Sequence, residues 1–172
     1  MKTLKSLKIA VISLLFFLIP LNASINKYVI SDDVVIDART AQKLLEIGTE
    51  VKEKTNVNIY VYARTDLGLP EDTTTKQKIE FIKKHEEEIA SKLEKPFVLL
   101  TLYVEQTHVN IITSETLKTK IDKNDILNGY VVPLLASKDK NSLFAKASAA
   151  VLNGYDEIAD QVALANGIEK LE

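Results

Sequence analysis

Seven carboxylates are the side chains of this sequence best suited to chemistry. Asp32 and Asp33 stand together early, Asp37 follows, Asp66 lies mid-chain, and Glu115, Asp122 and Asp125 fall in a later polar stretch. Hard cations such as calcium or magnesium take several oxygen ligands, which loop aspartates and backbone carbonyls can supply. Asp32, Asp33, Asp122 and Asp125 are the candidate metal ligands on this reasoning. Their spacing does not match an EF-hand loop, and an isolated aspartate is as well suited to capping a helix or shaping a turn. Only convergence of several at one edge of a sheet would favour a metal.

No nucleophile accompanies them. The chain lacks a G-x-S-x-G elbow, a phosphate-cradling glycine loop and an H-E-x-x-H pair, and it holds only five glycines. The absence of cysteine removes disulfides, thiolate metal sites and a cysteine nucleophile. His85 falls in the run His-Glu-Glu-Glu of a charged helix and His108 in a hairpin turn, both positions expected of solvated histidines. No catalytic residue is assignable from these patterns.

The elements that must position any site centre on Pro96 to Thr113. Phe97 to Val104 is almost continuously apolar, β-branched or aromatic, as for a strand buried on both faces. Glu105 to His108 make a polar turn, and Val109 to Thr113 return too soon for a crossover helix, so the pair must be antiparallel. Val57 to Arg64 alternates cleanly, with Val57, Ile59, Val61 and Ala63 on one face and Asn58, Tyr60, Tyr62 and Arg64 on the other.

Between an extended segment at residues 25–36 and this strand, Ala41, Leu44, Leu45, Gly48 and Val51 line one face of a helix capped by Asp37 or Thr40. A right-handed β-α-β crossover is the natural topology there. Gly48 on the apolar stripe implies a close approach to the sheet.

A second helix is expected over Lys76 to Leu93, with a stripe of Ile79, Ile82, Ile89 or Ala90, and Leu93. Glu80–Lys84 and Glu88–Lys92 are favourable i,i+4 pairs on this solvated surface helix. Asp125 to Ser137 reads as a short helix that Pro133 can bend. Leu143 to about Ala165 reads as an alanine-rich helix, capped by Ser142 and ended by Asn166-Gly167.

The first 23 residues read as a secretory signal peptide: Lys2, Lys5 and Lys8 precede the apolar run Ile9 to Leu21, and Ala23 closes a cleavage site. The run is short of the roughly 18 residues of a spanning helix; an uncleaved anchor is the alternative. Removal would leave a single domain over residues 24–172. Its 19 basic side chains face 24 acidic ones, a net charge of −5. That balance argues against nucleic acid or an anionic membrane as partner. Export without disulfides suits a periplasm.

Tyr-Val-x-x-Asp-Asp at 28–33, Thr-Asn-Val-Asn-Ile-Tyr-Val at 55–61, the hairpin Phe97 to Ile112 and Tyr130-Val131-Val132-Pro133 together resemble the TPM-domain family over roughly residues 27–165. That family includes thylakoid-lumen proteins tied to photosystem II repair and many exported bacterial proteins. The resemblance implies an α/β fold, a small mixed sheet with an antiparallel hairpin flanked by helices as an α/β/α sandwich. It also implies either acid phosphatase activity or calcium binding without catalysis.

Asp32 and Asp33 match the family's early acidic pair, and its later aspartate has Asp122 or Asp125 as approximate counterparts. The family's glycine-rich V-G-x-G-L-E-G is not kept. With Leu117 on the family's leucine, Ser114, Thr116 and Thr119 replace glycines, Lys118 replaces the glutamate, and Asn110 stands where a basic residue is frequent. Ser and Thr restrict the backbone where glycine would let it approach a ligand, and Lys118 reverses charge where a cation would sit.

The function expected is therefore an exported, non-catalytic binding or assembly module that acts through a periplasmic or membrane-associated protein and binds a divalent cation, calcium or magnesium, if it binds any cofactor. The alternative is a metal-dependent acid phosphatase. Membrane contact is expected only if the leader is retained.

Overall fold

The computed structural model describes residues 26–30 and 35–169. The signal peptide expected at 1–23 and the acidic pair Asp32–Asp33 lie outside the described residues.

The expected α/β architecture is found, a three-stranded mixed sheet with helices against both faces. Helix α1 (Ala38–Thr55) begins where Asp37, in an extended conformation, accepts the Thr40 N–H at 2.9 Å. Of the two possible caps, Asp37 is the acceptor and Thr40 the donor. The helix ends at Asn56, whose left-handed φ of 59° turns the chain into strand β1 (Asn58–Arg64). The earlier segment pairs in parallel with β1: Val61 N–H donates to the Tyr28 carbonyl at 2.7 Å and Ile30 N–H to the Val61 carbonyl at 3.0 Å. Helix α1 is thus the crossover of a parallel β-α-β unit.

A second parallel unit follows. Helix α2 (Thr75–Ser91) returns the chain to strand β2 (Phe97–Tyr103), which lies beside β1 with Val61 opposite Leu100. Strand β3 (His108–Thr113) then pairs antiparallel to β2, with Ile111 opposite Leu100, giving the order β1-β2-β3. All seven residues of β2 are buried, as its unbroken apolar run requires of a central strand.

Three short helical pieces, Lys123–Asp125, Ile126–Val131 and Val132–Leu135, run on as one element, α3. The middle piece is a π-turn, in which the Val132 N–H reaches back to the Leu127 carbonyl. The bend expected at Pro133 takes this form because proline has no N–H and its ring crowds the carbonyl four residues earlier; widening the preceding turn relieves that clash. Helix α4 (Leu143–Ala165) starts at Ser142, which accepts the Ala145 N–H, and is followed by Gly167 at φ 76°.

Helices α1 and α4 cover the face of the sheet carrying Ile59, Val61, Ala63, Val98, Leu100, Leu102 and Ile111, all buried. Alanines at 147, 150, 159 and 163 bring α4 close. The close approach expected at Gly48 exists, but toward Tyr28 and Tyr155 rather than the sheet: a Cβ there would stand 2.3 Å from the Tyr155 hydroxyl and 2.6 Å from the Tyr28 ring.

Helix α2 departs most from expectation. Its N-terminus is fixed by a reciprocal capping box between Thr74 and Gln77. Ile79, placed on the buried stripe, is exposed; Ile82 is buried as expected, and the residue that joins it on the inward face is Glu86. Lys92 pairs with Glu88 at 2.8 Å as expected, whereas the partner of Glu80 is Lys76 at 4.0 Å, not Lys84.

Candidate functional site

Three places could serve: the sequence-nominated carboxylates, a polar cluster beneath α2, and an apolar groove at the hairpin end of the sheet.

Among the described residues Asp122 and Asp125 come together, while Asp37, Asp66 and Glu115 lie elsewhere. Asp122 caps α3, its Oδ1 accepting the N–H groups of Asn124 at 3.1 Å and Asp125 at 3.0 Å, while its own N–H donates to Gln161 at 2.7 Å. Asp125 sits in the first turn below it, exposed. Asp37 caps α1, and its N–H donates to Ser148 Oγ at 3.0 Å. The Thr40 amide holds the Asp37 carboxyl below the usual aspartate range. Ser148 and Gln161 are thirteen positions apart on α4, about 20 Å at the α-helical rise, so Asp37 and Asp122 stand toward opposite ends of the molecule. Asp66 is bound to Gln106 of the hairpin turn, and Glu115 pairs with Lys118 at 3.6 Å. Among the described residues no group of three His, Cys, Asp or Glu side chains is gathered closely enough to hold a metal ion. The structure leaves the position of Asp32 and Asp33 undescribed.

The polar cluster grows from the capping box of α2. With the helix starting at Thr75, positions 82, 85 and 86 turn inward. Glu86 is only 4% exposed. Its Oε1 accepts from Thr101 Oγ1 of β2 at 2.5 Å and faces His108 Nε2 of β3 at 3.1 Å; its Oε2 accepts from Asn110 Nδ2 at 2.8 Å. Burial alone would raise the Glu86 pKa, but the hydrogen bonds from His108, Thr101 and Asn110 together hold it below the usual glutamate value. An ionised carboxylate thus stands inside the protein with both oxygens occupied.

An aromatic layer lies beside it. His85 Nε2 meets the Tyr62 hydroxyl at 3.3 Å and stacks against Phe81, and Tyr103 contacts Tyr62, His85 and His108 edge-on or tilted. The Tyr103 hydroxyl is buried without a hydrogen-bond partner; burial and then the Glu86 charge push its phenol far upward. Neither histidine is the freely solvated residue expected: both are partly buried and engaged.

The sequence contained the signal for Glu86. It is four residues after Ile82 and three before Ile89, on the apolar stripe itself. A glutamate on such a stripe needs donors, and Thr101 and Asn110 sit opposite one another on the paired strands β2 and β3.

The groove, of about 310 Å3, opens between the hairpin end of the sheet, the last turn of α3 and the first turns of α4. Leu102, Val104 and Val109 form its sheet side, Val132 and Leu135 one wall, Leu143 and Ala147 the other. Leu143 is 51% exposed, and Val132 and neighbouring Phe144 are nearly as open. Large apolar side chains left in water around a concave apolar surface mark a place where another molecule can bury them.

Comparisons with known proteins add fold information only. No protein-family profile matches the chain, and no curated protein sequence does. Among solved structures, the chain is similar to the N-terminal domain of a protein from P. gingivalis solved by NMR, with a TM-score of 0.60, 14% identity, and 87% of this chain and 90% of that one covered. It also matches the NMR structure of the BA42 protein from the psychrophilic bacterium Bizionia argentinensis, with a TM-score of 0.46, 11% identity, and 75% and 82% covered.

Proposed function

We propose that this chain is an exported, TPM-like module that works by binding a protein partner rather than by turning over a substrate. The observation that carries this reading is the apolar groove, with Leu143 and Val132 exposed at its walls and Phe144 exposed beside them. Burial of such side chains contributes about 25 cal/mol per Å2, and a partner's apolar segment is the occupant that obtains it. The sequence resemblance to the TPM family supports the same reading, as does its loss of the family's glycines and glutamate at Ser114, Thr116, Thr119 and Lys118. The α/β fold, matched by the P. gingivalis domain, is compatible with it. Periplasmic localisation rests on the leader expected at residues 1–23, and a calcium or magnesium ion would serve binding rather than chemistry.

The experiment places a photo-crosslinking residue at position 143 in the groove and, as control, at exposed Leu164 near the other end of α4. The reading expects a discrete protein adduct from position 143 that is absent from 164 and lost on adding Val132→Glu. Equal labelling at both positions would overturn it. So would calcium- or magnesium-dependent hydrolysis of p-nitrophenyl phosphate abolished by Asp33→Ala, which would establish the phosphatase instead.

A further inference from the structure

We propose that α2 is an acid-releasable cover over the aromatic face of the sheet, latched by the Glu86 carboxylate to Thr101, Asn110 and His108. This goes beyond the groove reading and does not depend on it.

Helix α2 is joined to β1 by residues 65–74, of which Asp66 and Leu67 are held by Gln106 and the rest span to Thr75, and to β2 by residues 92–96. Among the described residues it is the helix shown bonded to this face of the sheet, and only Ile82 and Glu86 of its seventeen residues are buried. An anchorage with one buried aliphatic side chain leaves the carboxylate an unusually large share of the hold. Glu86 reaches two strands at once, through Thr101 on β2 and through His108 and Asn110 on β3. Beneath lie Phe97, Leu99 and Tyr103, all buried, with Tyr60 and Tyr62 beside them on β1.

The groups facing Glu86 account for the direction of the response. From β2 come Thr101 and Tyr103, from β3 His108 and Asn110, and from α2 its neighbours Lys83, His85 and Glu87; Lys95 and Glu115 stand at the rim of the adjoining depression. The three direct partners act as donors. A protonated carboxyl loses the negative charge that strengthens all three hydrogen bonds and has a new proton to place among their donors, so the hold of Thr101, His108 and Asn110 on α2 weakens. A carboxyl held below its ordinary pKa contributes stability above the unfolded value, near 4.5, and that contribution is lost as the pH falls through the lower folded value. The latch is closed at neutral pH and opens in acid.

Hydrogen exchange read by mass spectrometry tests this on the whole chain, corrected for the intrinsic effect of pH on exchange. Between pH 6.5 and 3.5 the opening of α2 should increase severalfold relative to β1, up to about tenfold, the most that one carboxyl can contribute one pH unit below its ordinary value. Glu86→Gln should show that opening already at pH 6.5 and little further change. His108→Gln, which keeps a donor beside Oε1, should retain the acid response. Asn110→Asp should reverse it, because two facing carboxylates hold α2 best when they share a proton. If α2 and β1 keep the same ratio across the pH range in the unaltered chain, the proposal is overturned. A response that disappears with His108→Gln, or keeps its sign in Asn110→Asp, overturns it as well, and both tests stand even if Glu86→Gln fails to fold.

Discussion

Gly48 and Tyr155 meet across the α1–α4 interface so closely that only hydrogen fits on the α1 side: a Cβ at position 48 would stand 2.3 Å from the Tyr155 hydroxyl. That hydroxyl cannot retreat, since it donates to the Ile59 carbonyl at 2.8 Å and its residue is fully buried. The Tyr28 ring blocks the other side. Gly48→Ala should therefore destabilise the protein by about 1–3 kcal/mol through overpacking, against the roughly 1 kcal/mol that alanine gains over glycine in an unstrained helix. Urea denaturation measures the sign; a more stable variant would refute the argument.

Tyr155→Phe removes the bond to Ile59 and leaves a buried carbonyl without that donor. The expected cost is about 1–3 kcal/mol. Combined with Gly48→Ala, the loss should be smaller than the sum, because removing the hydroxyl clears the space the new methyl enters. A double-mutant cycle in urea reads the coupling.

Gly154 of α4 and Val131 of α3 form a second such contact, in which a Cβ on Gly154 would lie 2.5 Å from Val131 Cγ2. Gly154→Ala should cost about 1–3 kcal/mol, and adding Val131→Ala should return part of it. Thermal melts of the two single variants and the pair decide; strict additivity would show that the contact is not the cause.

Asp37→Ala should cost about 1 kcal/mol at pH 7, the usual worth of an N-cap. The Thr40 amide, which holds the Asp37 carboxyl below its ordinary value of 3.8, makes this difference pH-dependent. The stabilisation is present above that value and is lost as the pH falls through the lowered folded pKa. Asp37→Asn, which keeps a capping oxygen, should lose little stability and should not show that dependence. Chemical denaturation at pH 7 and pH 3 compares the three proteins.

Much of the fold was legible because backbone pattern and tertiary role agreed. The alternation of β1, the short return from β2 to β3, the Asp37 and Ser142 caps and the Asn166-Gly167 stop are local signals that the packed structure uses unchanged. Helix α2 is less legible because its stripe is interrupted by a glutamate. Periodicity that counts only apolar residues passes over Glu86 and recruits Ile79, which is in water. The engagement of the two histidines is hidden from the sequence because their partners, Tyr62 and Glu86, come from other elements. The groove was not legible, because its walls come from β2, β3, α3 and α4, which only the packed chain brings together. Likewise, nothing in the spacing of Asp37 and Asp122 revealed that they anchor to opposite halves of α4.

The π-turn of α3 carries a consequence for how this chain can change length. Ile126 and Val131, five positions apart, are both buried, whereas a regular α-helix brings positions three or four apart onto one face. The wide turn therefore holds one residue more than an α-helix would need to present those two side chains together. A chain lacking one of residues 127–130 would close this turn to a regular one that still presents Ile126 and Val131 to α4, and the cost would be the return of the Pro133 clash that the wide turn relieves. Elsewhere in a helix a single deletion rotates every following side chain by about 100°, the angle per residue of a 3.6-residue turn. Here α3 has a place where the chain can lose one residue and stay in frame.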